Sequence, residues 1–249
     1  MGMRRRLLGV YWAMEKRLVP GLQYSQRTYE EHLGRWVPEG ATWLDIGCGR
    51  RLLPAWRATA EQQLLKRVGC LVGTDLSIDS LHDNTSVALK ICAPAEALPF
   101  DSKCFDLVTA NMVVEHLADP EASFKEVNRV LRPGGVFVFH TPNAAAYPTV
   151  LARMFPDNLK RIAARMLDGR RGEDVFPTFY RGNSAATVRA LAHHCGFEIE
   201  VLSLVSTTAL FSVIPPLAFI ELLWLRALRD ERRREWRSNL IVALRKKSE

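Results

Sequence analysis

No stretch of this sequence reaches the roughly 18 apolar residues that a spanning helix needs, which argues against a transmembrane segment. No CxxC pair occurs among its five cysteines, Cys48, Cys70, Cys92, Cys104 and Cys195. Zinc-ligand spacing is therefore lacking, and buried, reduced thiols of a cytosolic protein are expected. No internal repeat and no low-complexity tract is visible, so solenoid and disordered architectures fall away. Arg4, Arg5 and Arg6 followed by apolar Leu7 to Met14 mimic a signal sequence. However, Glu15, Lys16 and Arg17 cut the run short and no small-residue cleavage site follows, so a secretory signal is not expected.

What is present is ordinary globular composition: 249 residues, 48% hydrophobic and 24% charged. That length suits one α/β domain with decorations. The net charge of +7 favours an anionic partner without choosing among nucleic acid, lipid head groups and acidic metabolites. The excess sits at the two ends, in Arg4–Arg6 and in Arg226, Arg229, Arg232, Arg233, Arg234 and Arg237.

Hydrophobic periodicity divides the chain. A first helix over Met3–Leu18 puts Leu7, Tyr11, Met14 and Leu18 on one face, with Val10 alongside; a second spans Ser25–Trp36. Strands are predicted over 41–47, 70–74, 87–92, 105–110, 136–140, 197–205 and 239–244. Helical sequence runs to about Arg67 after the first strand, over Pro120–Leu131 and over Ser184–Cys195, and Ser77 is placed to cap another helix. Residues 144–178 read as an irregular, partly helical insertion. Strands alternating with helices imply a doubly wound, seven-stranded, mostly parallel sheet. One domain over 1–249 is expected: a helical cap (1–38), a core (39–206 and 238–249), and insertions at 144–182 and 207–237.

Ligands on such sheets bind beyond the carboxyl ends of the strands, which directs attention to the residues just after Ile46, Thr74, Ala110 and His140. Asp45-Ile-Gly-Cys-Gly49 puts two glycines at a strand end, where a ligand can approach the backbone and N–H groups of the following helix can receive a carboxylate. Asp75, ending the second strand, can accept from vicinal ribose hydroxyls or cap the helix that begins near Ser77. Ala95-Glu-Ala-Leu-Pro-Phe100 offers backbone and apolar groups to a flat base.

In this order and spacing the three pieces resemble the class I S-adenosylmethionine-dependent methyltransferases. The likeness is to the methyltransferase type 11 group, which includes ubiquinone and menaquinone biosynthesis methyltransferases. Trp43-Leu-Asp-Ile-Gly-Cys-Gly49, Gly73-Thr-Asp-Leu-Ser77, Phe105-Asp-Leu-Val108, Asn111-Met-Val-Val-Glu-His-Leu117 and Val130-Leu-Arg-Pro-Gly-Gly-Val136 belong to the same likeness. The resemblance implies a Rossmann-like methyltransferase fold and S-adenosylmethionine as cofactor, with S-adenosylhomocysteine as product. It implies that Asp45, Gly47 and Gly49 line the methionine and ribose end, Asp75 holds the ribose and Leu76 packs on adenine. Ala95 and Glu96 would edge the base, Asn111 would face the methionine part, and His116 would border the substrate cavity. Two positions depart from many relatives: Arg50 follows the second glycine where a small residue is usual, and Pro94 stands where Asp often precedes the Ala-Glu pair.

Leu52 breaks the GxGxxG pattern of a nicotinamide dehydrogenase. Methyl transfer requires a nucleophile in line with the methyl, and a base only if that nucleophile must lose a proton. His116 is the leading base candidate, Glu115 its orienting or substrate-binding neighbour, and His140 the second candidate. The alternative is that Glu115 and His116 are helix-start residues with local hydrogen bonds. Tyr24 and Tyr29 are candidates to cover the cofactor, and Phe179-Tyr-Arg181 to line the acceptor pocket. His193 and His194 read as structural, and no metal-ligand cluster is evident, so metal-independent chemistry is expected.

Phe211 to Leu225 is strongly apolar, with Glu221 its only charge, and arginines follow at once. This suits a helix in a membrane interface, or else a packed lid or dimer contact. The expected acceptor is a small molecule or a lipid-linked one, such as an isoprenoid quinone precursor or a lipid-anchored glycan. The expected location is cytoplasmic, extending to peripheral attachment at an anionic inner membrane face. RNA methylation is disfavoured, since Asn111-Met-Val-Val114 replaces an Asn-Pro-Pro-Tyr signature and no RNA-binding module is visible. A non-catalytic S-adenosylmethionine-binding regulator stays open as the alternative.

Overall fold

A computed structural model describes residues 2–154, 176–207 and 209–248. Seven strands form one sheet: β1 (Ala41–Ile46), β2 (Val68–Asp75), β3 (Leu89–Cys92), β4 (Phe105–Asn111), β5 (Leu131–Pro142), β6 (Phe197–Val205) and β7 (Asn239–Lys246). Their order is β3-β2-β1-β4-β5-β7-β6. Only β7 runs antiparallel to its neighbours, β5 and β6. The chain leaves β1 in one direction to β2 and β3, then crosses back to β4. That reversal opens a crevice outside the carboxyl ends of β1 and β4.

The helices are α1 (Gly2–Leu18), α2 (Ser25–Trp36), α3 (Ala58–Leu65), α4 (Ile78–Asp83), α5 (Pro120–Val130), α6 (Tyr147–Met154), α7 (Ala185–His194) and α8 (Pro215–Ala227). Alternation along the strands divides the core between the two faces of the sheet. Leu44, Ile46, Val108, Phe137 and Phe139 meet Phe124 and Val127 of α5 and Val188 of α7. Trp43, Leu107, Val136 and Val138 meet Tyr29 and Leu33 of α2 and Leu64 of α3. A third cluster joins α1 to α8 through Tyr11, Leu222 and Leu225, with Met14 and Leu18 against it. Val10, expected alongside that face of α1, is exposed instead.

Three sequence expectations need correction. The glycine turn after β1 does not open a helix; a 3-10 turn (Ala55–Arg57) and then α3 begin later. Leu52 and Leu53 are buried there, and Glu61 of α3 accepts from the Leu53 N–H at 2.8 Å, which draws the loop inward before any helix forms. β5 starts at Leu131, before the Pro-Gly-Gly bend, because Phe105 of β4 pairs with Leu131 across an irregular register. The cysteines are free thiols, but only Cys48 and Cys195 are buried, and Cys92 is exposed. Of the insertion 144–178, residues 144–154 (including α6) and 176–178 are described, and 155–175 lie outside the described residues.

Candidate active site

Strand register builds the floor of the crevice. Asp45 of β1 sits opposite Thr109 of β4, and Asn111 of β4 opposite His140 of β5. The Thr109 hydroxyl donates to Asp45 Oδ1 at 2.5 Å and accepts from Trp43 Nε1 at 2.7 Å. Asp45 is buried, and burial pushes its carboxyl up to about 7. The Thr109 hydroxyl opposes this rise, and the Asp75 and Glu61 carboxylates add to it.

The glycine turn follows. Gly47 adopts φ +65°, and a Cβ there would meet Val113 Cγ2 at 2.4 Å, so both backbone and space demand glycine. Gly49 adopts φ +49°, yet nothing lies within 4 Å of a Cβ built on it, so this side of the turn is an open cradle. Asp75 closes one end: Oδ2 accepts the Gly49 N–H at 2.9 Å and Oδ1 accepts the Ser77 N–H at 2.8 Å. The cap of α4 is Ser77 itself, whose Oγ accepts from the Ser80 N–H at 3.1 Å. Asn84 fixes the back of the turn, its amide donating to the Cys48 and Gly49 carbonyls at 3.1 and 2.8 Å. Arg50 pairs with Asp83 of α4, which gives that unusual residue a structural role beside the turn. Burial, with Asp45 and Asp75 adding, pushes the Cys48 thiol up to about 12, so it stays protonated.

Around this core lie Leu76, exposed after β2, and Ala95, buried, with Glu96 half-buried beside it. Met112 follows β4 at φ +60°, a region costly for a non-glycine residue, and its N–H donates to the His140 carbonyl at 2.8 Å. Asn111 Oδ1 accepts from His140 Nδ1 at 2.9 Å, while its amide donates to Gln26 of α2 at 3.3 Å. That network assigns the proton to Nδ1. His140 Nε2 is buried with no hydrogen-bond partner among the described residues. Burial lowers His140 to about 4, so the ring is neutral at physiological pH, stacked on Tyr29 at 5.6 Å. Tyr24 lies apart from this stack; its hydroxyl turns to Glu15 of α1.

Glu115 and His116 occupy a 3-10 turn (Val114–His116) after β4, and their side-chain bonds reach across the fold. Glu115, buried, accepts from the Thr141 hydroxyl at 2.8 Å, and Asn183 donates to that same hydroxyl at 2.6 Å. His116 Nδ1 donates to the Pro177 carbonyl at 2.7 Å, and its Nε2 lies 4.0 Å from Glu115 Oε1. The Glu115 carbonyl accepts the Phe179 and Tyr180 N–H groups at 2.8 and 3.2 Å, and Arg181 donates to the Ala118 carbonyl at 2.6 Å. The 179–181 stretch is therefore bolted beside His116. Thr109, Asn84, Gln26, Thr141 and Asn183 escaped sequence reasoning, because each acts through a partner at least 26 residues away.

A doubly wound sheet with a glycine turn and an acid at the ends of its first two strands defines a class of nucleoside-binding folds. Comparison with known proteins narrows it. Residues 44–139 match the methyltransferase domain family. A demethylmenaquinone methyltransferase from Mycolicibacterium paratuberculosis is 32% identical over 126 residues, covering 48% of this chain and 55% of that protein. The biotin biosynthesis bifunctional protein BioHC of Saccharophagus degradans is 33% identical over 126 residues, covering 47% of this chain and 21% of that protein. The chain thus spans about half the length, or less, of these curated relatives. A solved S-adenosylmethionine-dependent methyltransferase from Mesorhizobium loti superposes with a TM-score of 0.57 at 19% identity, covering 89% of this chain and 98% of that one. The match to the methyltransferase domain family covers residues 44–139, and the likeness to the solved structure shows a shared fold.

Proposed function

We propose that this protein transfers a methyl group from S-adenosylmethionine to a small-molecule acceptor, with a lipid-linked acceptor as the finer reading. The observation that carries the proposal is the Asp75 carboxylate beside the open turn at Gly49. Each of its oxygens accepts one backbone N–H and keeps a lone pair for a ribose hydroxyl. Asp45, Gly47, Gly49 and Asn111 would hold the methionine and ribose end. Leu76 would cover adenine, with Ala95 and Glu96 at its edge. The buried lone pair of His140 Nε2 fits a hydrogen-bond donor on cofactor or acceptor.

When bound, the cofactor supplies an electrophilic methyl on a sulfonium and leaves as S-adenosylhomocysteine. The chain's own residues position the acceptor and manage its proton. His116 suits a base better than His140 does: its Nδ1–H is spent on the Pro177 carbonyl, which leaves Nε2 to take the proton. The nearby Glu115 carboxylate would stabilise the resulting imidazolium. His140, held near 4, is too weak a base for that role and serves as an acceptor group. The demethylmenaquinone relative supports a lipid-linked quinone precursor as acceptor.

The test is incubation with methyl-labelled cofactor and a cell extract, partitioned between organic and aqueous phases. Label in an organic-phase product, lost in D75A, is expected. Label confined to the aqueous phase refutes the lipid-linked reading. Cofactor binding without transfer to either phase refutes the enzyme.

A further inference from the structure

Outside the crevice, the outer face of α8 stands out among the described residues. Its sequence, Pro-Pro-Leu-Ala-Phe-Ile-Glu-Leu-Leu-Trp-Leu-Arg-Ala, is apolar all round, and folding must choose which half meets water. Ala218, Leu222 and Leu225 turn inward against α1. So does the helix's only acid. Glu221 is buried, accepts the Leu210 and Phe211 N–H groups at 2.5 and 2.8 Å, and pairs with the Tyr147 hydroxyl of α6. Leu217, Phe219, Ile220, Leu223 and Trp224 point outward, each 39–64% exposed. This reverses the pattern of a helix packed on a water-soluble core, where charge faces out. An apolar patch rimmed by polar residues marks a contact surface.

The rim is basic. Residues 226–237 hold six arginines against three acids. Arg226, Arg232, Arg233 and Arg234 are exposed, as is Trp236 in the 3-10 turn Glu231–Trp236. Arg226, Arg232 and Arg233 make no ion pair among the described residues. A 13-residue helix is about 20 Å long, too short to cross a bilayer core of about 30 Å. No helix among the described residues is long and apolar enough to do so. Apolar and aromatic side chains on one face with cations at the end suit a helix lying flat in the headgroup boundary.

We propose that α8 is an interfacial anchor that seats this protein on an anionic phospholipid surface. Charge favours this occupant over a second copy of the chain: a second copy would bring the same arginine-rich rim to the contact, whereas an anionic headgroup layer complements it. The Tyr147–Glu221 pair ties α8 to α6, the helix that follows the carboxyl end of β5. The inference stands on this surface and not on catalysis. It extends the lipid-linked reading by giving the acceptor a place to be met.

The full chain is mixed with vesicles of phosphatidylcholine alone or with phosphatidylglycerol, and sedimentation and tryptophan fluorescence are read. Binding to the anionic vesicles is expected, with a blue shift of emission. The double variant I220E/L223E is expected to weaken binding at least about a hundredfold, from about tenfold per apolar side chain. The triple variant R232E/R233E/R234E weakens it while sparing any residual binding to neutral vesicles. Circular dichroism and cofactor calorimetry verify that both variants remain folded. Failure of the wild-type chain to bind anionic vesicles overturns the proposal, as does equal binding by I220E/L223E. A concentration-dependent dimer abolished by I220E/L223E, without vesicle binding, assigns the face to self-association and also overturns it. None of these readouts uses methyl transfer, so they fail or succeed apart from the enzymatic reading.

Discussion

Asp45 offers the sharpest test of the site. The residue is 4% exposed, and burial, with Asp75 and Glu61 nearby, holds its carboxyl at about 7 against an ordinary value near 4. In the unfolded chain that carboxyl ionises at about pH 4; in the cofactor-free fold it keeps its proton to about pH 7. Between those values the folded state binds more protons, so this group's contribution to stability falls as pH rises through the window. At about 1.4 kcal/mol per pH unit, the loss is on the order of 4 kcal/mol by pH 8. D45N removes the titration and keeps an acceptor for Thr109. Urea unfolding without cofactor should therefore find the variant and wild type equally stable near pH 4, with the variant gaining an advantage that reaches a few kcal/mol by pH 8. The same stability difference at both pH values would refute the reasoning. A second readout follows from the cationic cofactor, which favours ionised Asp45. Calorimetry of S-adenosylmethionine binding at pH 6, in two buffers of different ionisation enthalpy, should report release of about one proton in wild type and none in D45N.

The glycine turn separates fold from ligand. G47A should lower the melting temperature strongly, because its Cβ would sit 2.4 Å from Val113 Cγ2, a clash costing about 1–3 kcal/mol beyond backbone strain. G49A meets no atom within 4 Å and should cost only about 1–2 kcal/mol of strain, while weakening cofactor binding by calorimetry. N84A removes the amide that fixes the Cys48 and Gly49 carbonyls. It should cost about 1–3 kcal/mol in urea unfolding and weaken cofactor binding with it. H116A should lower turnover about a hundredfold or more and leave the cofactor dissociation constant unchanged; unaltered turnover would remove His116 from proton transfer.

Much of the architecture was legible because local chemistry agreed with the global fold. The bounds Ser25–Trp36 and Phe197–Val205 agree between sequence and structure: Pro38 and Gly40 end the helix, and Gly196 precedes the strand. Ser184 caps α7 as its side chain suggests, accepting from the Thr187 N–H at 3.1 Å. The helix expected straight after Gly49 failed because burial of Leu52 and Leu53 outweighed the local turn. Val10 failed because its helix packs on α8 along a narrower stripe than the sequence offers.

By itself the sequence determined the strand–helix alternation, the glycine turn and the acid that ends β2, because those depend on residues adjacent in the chain. It could not decide what lies across the sheet. Parallel pairing set Thr109 against Asp45 and Asn111 against His140, and that register, invisible along one strand, governs their protonation. Nor could it decide which half of an all-apolar helix faces water. Only the packing of α1, and the three groups that take up Glu221 from within, turned Ile220 and Trp224 outward.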